Sequence, residues 1–194
     1  VLKHYDPVTP YWPSSPSSGG SFDESSAENR GDSHYWAVWH NCKPFDDFKK
    51  HKFRFCSEYG FESVPCMKTV STFASEKDLN ICSGVMEAHQ KCEAGNEKLL
   101  YYMVRYPYNF ENLVYATQLV QAEAIRQSAE HMRRNRGRCM GSLYWQVNDS
   151  NPVISWSSVD YFGRWKALHY AAKKFYAPVL CSVDDSDKDA LIIN

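Results

Sequence analysis

The chain has 194 residues, 43% of them hydrophobic, and its 22 basic and 23 acidic residues give a formal net charge of −1. This length suits one domain or a large part of one, and the balanced charge gives no electrostatic reason to expect nucleic acid or a membrane surface as a partner. No apolar run is long enough to cross a bilayer. Aromatic residues make up 15% of the chain, which suits either a heavy core or the platforms on which sugar rings stack.

The seven cysteines are odd in number and irregularly spaced, and none of them forms a C-x-x-C pair. We interpret them as mostly reduced thiols, in preference to a disulfide framework, and we expect no zinc site. A cytoplasmic location is therefore expected. Secretion stays open, because a signal peptide could lie upstream of Val1 or have been removed.

The first 52 residues contain two aromatic-rich segments with a polar stretch between them. Four prolines within residues 6–16 exclude a helix and allow only a short extended segment around Tyr11 and Trp12. Residues 14–32 predict a surface loop. Residues 31–40 then predict a strand that runs into a loop, and residues 44–51 predict a short helical turn.

Residues 53–65 predict the most informative strand. Aromatic residues alternate with small or polar ones as far as Glu58, and Gly60 and Pro65 follow, so the strand should end near Glu58. In α/β folds, the groups that perform chemistry lie at the carboxyl ends of strands. Glu58 is therefore a candidate nucleophile or general base. The alternative is a structural acid that pairs with Arg54 or with a backbone amide.

The remainder of the chain is mainly helical. Short helical segments are predicted over residues 67–73, 81–90 and 98–104. Residues 110–136 form the clearest helix, with Asn109 as its N-cap, and residues 165–176 form the last helix. Between these two helices, residues 140–147 predict a buried strand that ends in polar groups. The acidic residues 184–189 are expected to fray.

Strands, loops and helices that alternate in this way are typical of an α/β fold, and specifically of a parallel (β/α)8 TIM barrel. Only four strands are convincing, near Tyr11, Tyr35, Phe55 and Leu143, whereas eight are needed to close the barrel. Four strands would leave two unpaired edges. We therefore expect the chain to form half of a catalytic domain, with the other half upstream.

Several motifs carry a resemblance to a known family. They are residues 10–16 (PYWPSSP), 31–36 (GDSHYW), 57–61 (SEYGF), 144–149 (YWQVND), 155–158 (SWSS) and 161–170 (YFGRWKALHY). With these motifs in this order, the chain resembles the β-mannosidases of glycoside hydrolase family 2. The resemblance implies that residues 1–180 are the second half of the barrel, strands five to eight. Residues 181–194 would be an acidic tail or the start of a following domain.

The resemblance also implies an activity. Glu58 matches the family's catalytic nucleophile, so the chain would belong to a retaining glycoside hydrolase that releases terminal β-linked mannose without a metal or cofactor. The acid/base partner in this family is a glutamate in an Asn-Glu motif that precedes the nucleophile. Asn96-Glu97 follows Glu58, so the acid/base residue and the rest of the barrel should lie upstream. The implied partners are β-mannosides, manno-oligosaccharides and the N-terminal half of the enzyme.

Further site residues follow from the same resemblance. Trp145 would supply an apolar face for the sugar ring. His34, Tyr35 and Trp36 would hydrogen-bond Glu58 or line the mannose subsite, and core packing is the alternative for the aromatic residues.

Asn148 and Asp149 would contact substrate, or else brace their loop. Two positions depart from the family pattern, because Asn151 replaces a common Trp and Glu62 replaces a common Gln. An inward-pointing Glu62 could repel Glu58 by like charge. A non-catalytic sugar-binding remnant, and a β-galactosidase or β-glucuronidase of the same family, are alternative functions.

Overall fold

The computed structural model describes residues 1–20, 24–184 and 190–193, the last range by its backbone alone. The described elements are α1 (Leu2–Tyr5), β1 (Ser33–His34), α2 (Ala37–His40), a 3-10 helix (Phe45–Lys50), β2 (Cys56–Glu58), α3 (Met67–Val70), a second 3-10 helix (Glu76–Asp78), α4 (Gly84–Ala88), α5 (Gly95–Tyr101), α6 (Phe110–Arg134), α7 (Ala167–Phe175), β3 (Cys181–Asp184) and β4 (Ala190–Ile193). The architecture is thus a mixture of helices and short strands, as the sequence predicted.

β2 lies between two parallel neighbours. On one edge it pairs with β1, with His34 opposite Glu58. On the other edge, residues 140–145 run parallel to β2, and the amide of Leu143 donates to the carbonyl of Cys56 over 2.9 Å. The strand predicted to end near Glu58 is therefore confirmed, and it is central to the pairing.

Of two other predicted strands, one is wrong, and the other pairs with β2 as a strand would but is not buried. The segment around Tyr11 and Trp12 forms no strand, and these residues are 68% and 48% exposed. Residues 140–147 are extended, but they are neither a regular strand nor buried, since Leu143 is 57% exposed and Val147 is 55% exposed. A short apolar run predicts a segment of regular structure, but its periodicity alone does not show whether other parts of the chain bury it.

The strand predicted over residues 31–40 is shorter than expected. Only Ser33–His34 is extended, and the chain turns at once into the helix Ala37–His40. Val38 and Trp39 on this helix are fully buried and pack into the core. The aromatic and β-branched residues that predicted a strand here serve instead to anchor a short helix.

Helix α6 is the longest element and packs against α7. The side chain of Asn109 accepts a hydrogen bond from the amide of Asn112 over 2.8 Å, so the predicted N-cap is confirmed. Leu113 and Ile125 are fully buried, as the apolar stripe predicted.

A buried polar residue on α6 holds the loop that follows β2. The side-chain amide of Gln121 donates to the carbonyls of Phe61, Trp156 and Ser157, over 2.8, 3.1 and 3.2 Å. One side chain therefore links the loop after Glu58, the segment around residue 156 and the long helix.

At the carboxyl end, β3 pairs with β4 in antiparallel fashion. Residues 185–189, most of the acidic stretch expected to fray, lie outside the described residues. The boundary near residue 180 stays a prediction.

All seven cysteines are free thiols. In the described ranges, no helix combines the length and apolar character needed to span a membrane.

Candidate active site

Glu58 ends β2, and an indole holds its carboxylate. Nε1 of Trp36 donates to Oε1 of Glu58 over 2.9 Å. Nδ1 of His34 lies 3.7 Å from the same oxygen, too far for a hydrogen bond but close enough for an electrostatic interaction. The side chain of Glu58 is 26% exposed. The structure thus brings three of the predicted site residues together around an accessible carboxylate.

The second oxygen of Glu58 is unbonded within residues 1–20 and 24–184. The hydrogen bond to the carboxylate there is made at Oε1. A partly exposed carboxylate that is oriented through one oxygen and unbonded at the other can act as a nucleophile or as a general base.

Trp145 lies beside the loop that follows Glu58. Its amide donates to the carbonyl of Tyr59 over 2.7 Å. Its own carbonyl oxygen approaches Gly60 so closely that a Cβ at Gly60 would lie 2.4 Å from it, so only glycine fits there without movement. Trp145 is 45% exposed and can be reached by a ligand. Its contact with a sugar stays a prediction.

Tyr35 does not place its hydroxyl next to Glu58. The hydroxyl donates to Asp47, and the ring packs against Phe48 and Phe53 with centroids 5.5 and 5.6 Å apart. Partial burial and the bond to Asp47 raise the pKa of this hydroxyl. The backbone amide of Tyr35, by contrast, does reach Glu58 and donates to its carbonyl over 2.8 Å. The geometry therefore favours the core-packing alternative for Tyr35.

Asp149 is buried, and its carboxylate accepts hydrogen bonds from the hydroxyls of Ser155 and Ser157. Asn148 is exposed, and its carbonyl accepts a bond from the side chain of Gln146 over 2.9 Å. These contacts favour the bracing alternative for Asp149. A substrate contact by Asn148 stays a prediction.

A polar cluster next to Glu58 was missed by the sequence reasoning. Oδ2 of Asp32 accepts hydrogen bonds from the hydroxyls of Ser15 and Ser57, over 2.6 and 2.5 Å. Oγ of Ser15 lies 3.0 Å from Nε2 of His34. Partial burial acts to raise the pKa of Asp32, but the hydrogen bonds from Ser15, Ser57 and the amide of Ser17 outweigh it and lower that pKa. Asp32 is therefore a carboxylate near neutral pH.

The sequence carried only a weak signal for this cluster. Its members come from the proline-rich segment, from the end of the polar loop and from β2, so they meet only in the folded chain. Ser15, Asp32 and Ser57 each lie within a motif that carried the family resemblance. Their presence in these motifs is the sequence feature that could have indicated the cluster.

An open cavity of about 590 Å³ borders the cluster. It is lined by Trp12, Pro13, Ser14, Ser15, Gly31, Asp32, Phe55 and Ser57. The volume lies in the range of small-molecule sites, and the combination of aromatic faces with hydroxyl and carboxylate groups suits a sugar. Among the described residues, no three His, Cys, Asp or Glu side chains are grouped so that they could hold a metal ion.

Glu62 is fully buried in the loop that follows Glu58. Burial raises the pKa of its carboxyl well above the usual range, although Lys166 acts in the opposite direction. The shift favours the protonated, uncharged form of Glu62 and so acts against the like-charge repulsion considered from the sequence.

No family model matches the chain. The β-mannosidase of Capra hircus is 35% identical over an alignment 219 positions long, which covers 100% of this chain and 24% of that protein. β-Mannosidase B of Aspergillus terreus is 37% identical over 191 residues, covering 94% of this chain and 22% of that protein. The solved β-D-mannosidase from Dictyoglomus thermophilum matches with a TM-score of 0.90 and 32% identity, over 99% of this chain and 24% of that one. Over its whole length, this chain is a relative of the β-mannosidases.

These matches confirm the resemblance predicted from the motifs and make the chain glycoside hydrolase-like. As a β-mannosidase relative, the chain spans only about a quarter of the length of the proteins it matches.

Proposed function

We propose that this chain forms part of the catalytic domain of a retaining exo-β-mannosidase, in which Glu58 is the nucleophile. The observation that carries this proposal is the position of Glu58 at the carboxyl end of β2, where Trp36 holds Oε1 and the side chain is 26% exposed. The β-mannosidase relatives support the choice of sugar.

The chain would supply the second half of a (β/α)8 barrel. The parallel order of β1, β2 and residues 140–145 supports this arrangement, since parallel neighbours joined by helical crossovers are typical of such barrels. The segment near Tyr11, which the sequence predicted as the fifth strand, forms no strand and does not support this arrangement. The edges left unpaired by a half-barrel would be completed by an N-terminal half upstream.

In this enzyme, Oε2 of Glu58 would attack the anomeric carbon of the terminal mannose. The bond to the leaving oxygen breaks while an upstream glutamic acid, about 5 to 5.5 Å from Glu58, protonates that oxygen. The resulting mannosyl ester on Glu58 is then attacked by water, which the same upstream group deprotonates, and mannose leaves with its configuration retained. Trp36 holds Oε1 during both steps. Manno-oligosaccharides and β-mannosides are the proposed substrates.

A mechanism-based label tests the assignment of Glu58. In the full-length protein that carries this chain, a 2-deoxy-2-fluoro-β-mannosyl fluoride should esterify Glu58 and stop turnover. The fluorine at C2 slows both steps, but the fluoride leaving group keeps the first step fast enough for the ester to accumulate. Peptide sequencing by mass spectrometry locates the adduct. Glu58→Gln should abolish both labelling and turnover, whereas the control Glu62→Gln should label normally. An adduct on any other residue would refute the assignment.

The two alternatives predict different results. A sugar-binding remnant would bind mannosides in calorimetry but hydrolyse none, even with the upstream half present. A β-galactosidase or β-glucuronidase would prefer the corresponding nitrophenyl glycoside to nitrophenyl β-mannoside.

A further inference from the structure

The cluster beside Glu58 contains a hydroxyl whose single proton can be located. Oγ of Ser15 lies 2.6 Å from Oδ2 of Asp32, and two oxygens at that distance must share a proton. Asp32 is a carboxylate and has none to give. The proton therefore belongs to Ser15, and Ser15 donates to Asp32.

The position of this proton determines the tautomer of His34. Because the proton of Ser15 points to Asp32, Oγ of Ser15 can only accept along its 3.0 Å contact with Nε2 of His34. Nε2 must therefore carry a hydrogen, and in the neutral ring Nδ1 carries none. Nδ1 is the nitrogen that lies 3.7 Å from Oε1 of Glu58. This direction is the reverse of a serine-hydrolase triad, in which serine gives its proton to histidine.

We propose that Asp32 is a positioning residue that acts through Ser15 to fix the ring orientation and tautomer of His34, so that the basic Nδ1 edge faces Glu58. A bare Nδ1 points no N–H at Oε1, so no second donor draws electron density from the carboxylate that attacks in the proposed function. In this account Asp32 acts on Glu58 through Ser15 and His34.

The same geometry makes Asp32→Asn a directional test. Oδ1 of Asp32 accepts the amide hydrogen of Ser17 over 2.8 Å, so the oxygen of an asparagine must occupy that position. Its NH2 group then replaces Oδ2 and donates to Ser15. Ser15 then donates to Nε2 of His34, 3.0 Å away, in preference to Oγ of Ser57, 3.3 Å away, and the hydrogen on the neutral ring moves to Nδ1.

The primary experiment is 15N NMR of the histidine-labelled chain, at a pH at which the imidazole is neutral. The resonances of His34 are assigned by their loss in His34→Gln. We expect Nε2–H in the parent protein, Nδ1–H in Asp32→Asn, and a mixture of both forms in Ser15→Ala. Ser15→Thr keeps the hydroxyl and should restore the parent spectrum. Ser57→Ala is the matched control, since Ser57 also donates to Asp32 but does not contact His34, and it should leave the tautomer unchanged.

A second measurement rests on the proposed function. In the full-length protein, Asp32→Asn, which turns an N–H of His34 toward Oε1, should slow fluoromannosyl labelling of Glu58 about two- to tenfold, the range expected for one hydrogen bond. Ser15→Ala should slow it less, and Ser15→Thr should label at the parent rate.

The outcomes separate the two proposals. The positioning role is refuted if the parent protein shows Nδ1–H on His34. It is also refuted if the tautomer is unchanged in both Asp32→Asn and Ser15→Ala. Both conclusions hold whether or not Glu58 is labelled. The expected tautomers without any labelling of Glu58 would support the positioning of His34 and refute the β-mannosidase assignment. If Asp32→Asn does not fold, the comparison of Ser15→Ala with Ser15→Thr decides.

Discussion

Replacing Gly60 by alanine tests how tightly the wall beside Glu58 is packed. The added Cβ would lie 2.4 Å from the carbonyl oxygen of Trp145 and 2.8 Å from a ring carbon of Trp36. Ordinary contacts begin at 3.4 Å, so the backbone at Trp145 must move by about 1 Å. Overpacking of this kind costs about 1–3 kcal/mol, which for a chain of this size lowers Tm by about 2–12 °C. Since Trp36 holds Glu58, the displacement should also weaken the activity of the proposed enzyme.

The assay is urea denaturation of the purified protein, followed by circular dichroism. Gly84→Ala is the matched control, because a Cβ at Gly84 meets nothing within 4 Å and Gly84 begins helix α4. This control should be as stable as the parent or gain up to about 1 kcal/mol, since alanine favours a helix more than glycine does.

The reasoning would be refuted by a Gly60→Ala variant as stable as the parent, since the close approach at Trp145 would then be able to relax at no cost. Equal destabilisation of both variants would point to a general sensitivity to glycine replacement and not to this contact.

Two further predictions concern the same region. In the proposed enzyme, Trp36→Phe removes a hydrogen bond to a charged carboxylate, worth about 1.5–3 kcal/mol, and should lower kcat/KM about 10- to 150-fold. The control is Trp39→Phe, which loses a contact with Cys92 in the core and should lower stability without this kinetic effect. Glu62→Gln should have the same free energy of unfolding as the parent near pH 4. As pH rises from about 4 to 7, the variant should become progressively more stable than the parent. Burial raises the pKa of Glu62 in the folded state, so only the unfolded parent releases this proton as pH rises above its ordinary pKa near 4.3, and folding is progressively disfavoured. Denaturation should be followed below pH 7, since Lys166, whose pKa burial lowers to about 8, titrates above it. A flat difference between Glu62→Gln and parent across this range would contradict a buried, neutral Glu62.

Local patterns predicted the elements that local forces stabilise. The alternation before Glu58 located the end of β2, because a strand with one buried face repeats every two residues. The N-cap at Asn109 and the apolar stripe located α6 for the corresponding helical reason. The apolar residues of 140–147 predicted a buried strand, but an apolar sequence does not determine which other segments cover it, and Leu143 and Val147 are exposed.

The site was predictable only in part. Glu58 and Trp36 lie at adjacent strand ends, where topology brings groups together. Tyr35 follows His34 directly, yet its side chain turns into the core, because adjacent residues point in opposite directions. The link from Asp32 through Ser15 to His34 joins segments that are distant in the chain, and neither periodicity nor spacing encodes it.

The three carbonyls held by Gln121 have a consequence for access to Glu58. The loop at Phe61 and the segment at Trp156 and Ser157 are tied to the same side chain of α6, so either can swing outward only by breaking its own hydrogen bonds to that helix. In the proposed enzyme, a sugar that approaches Glu58 would therefore meet a braced rim on this side.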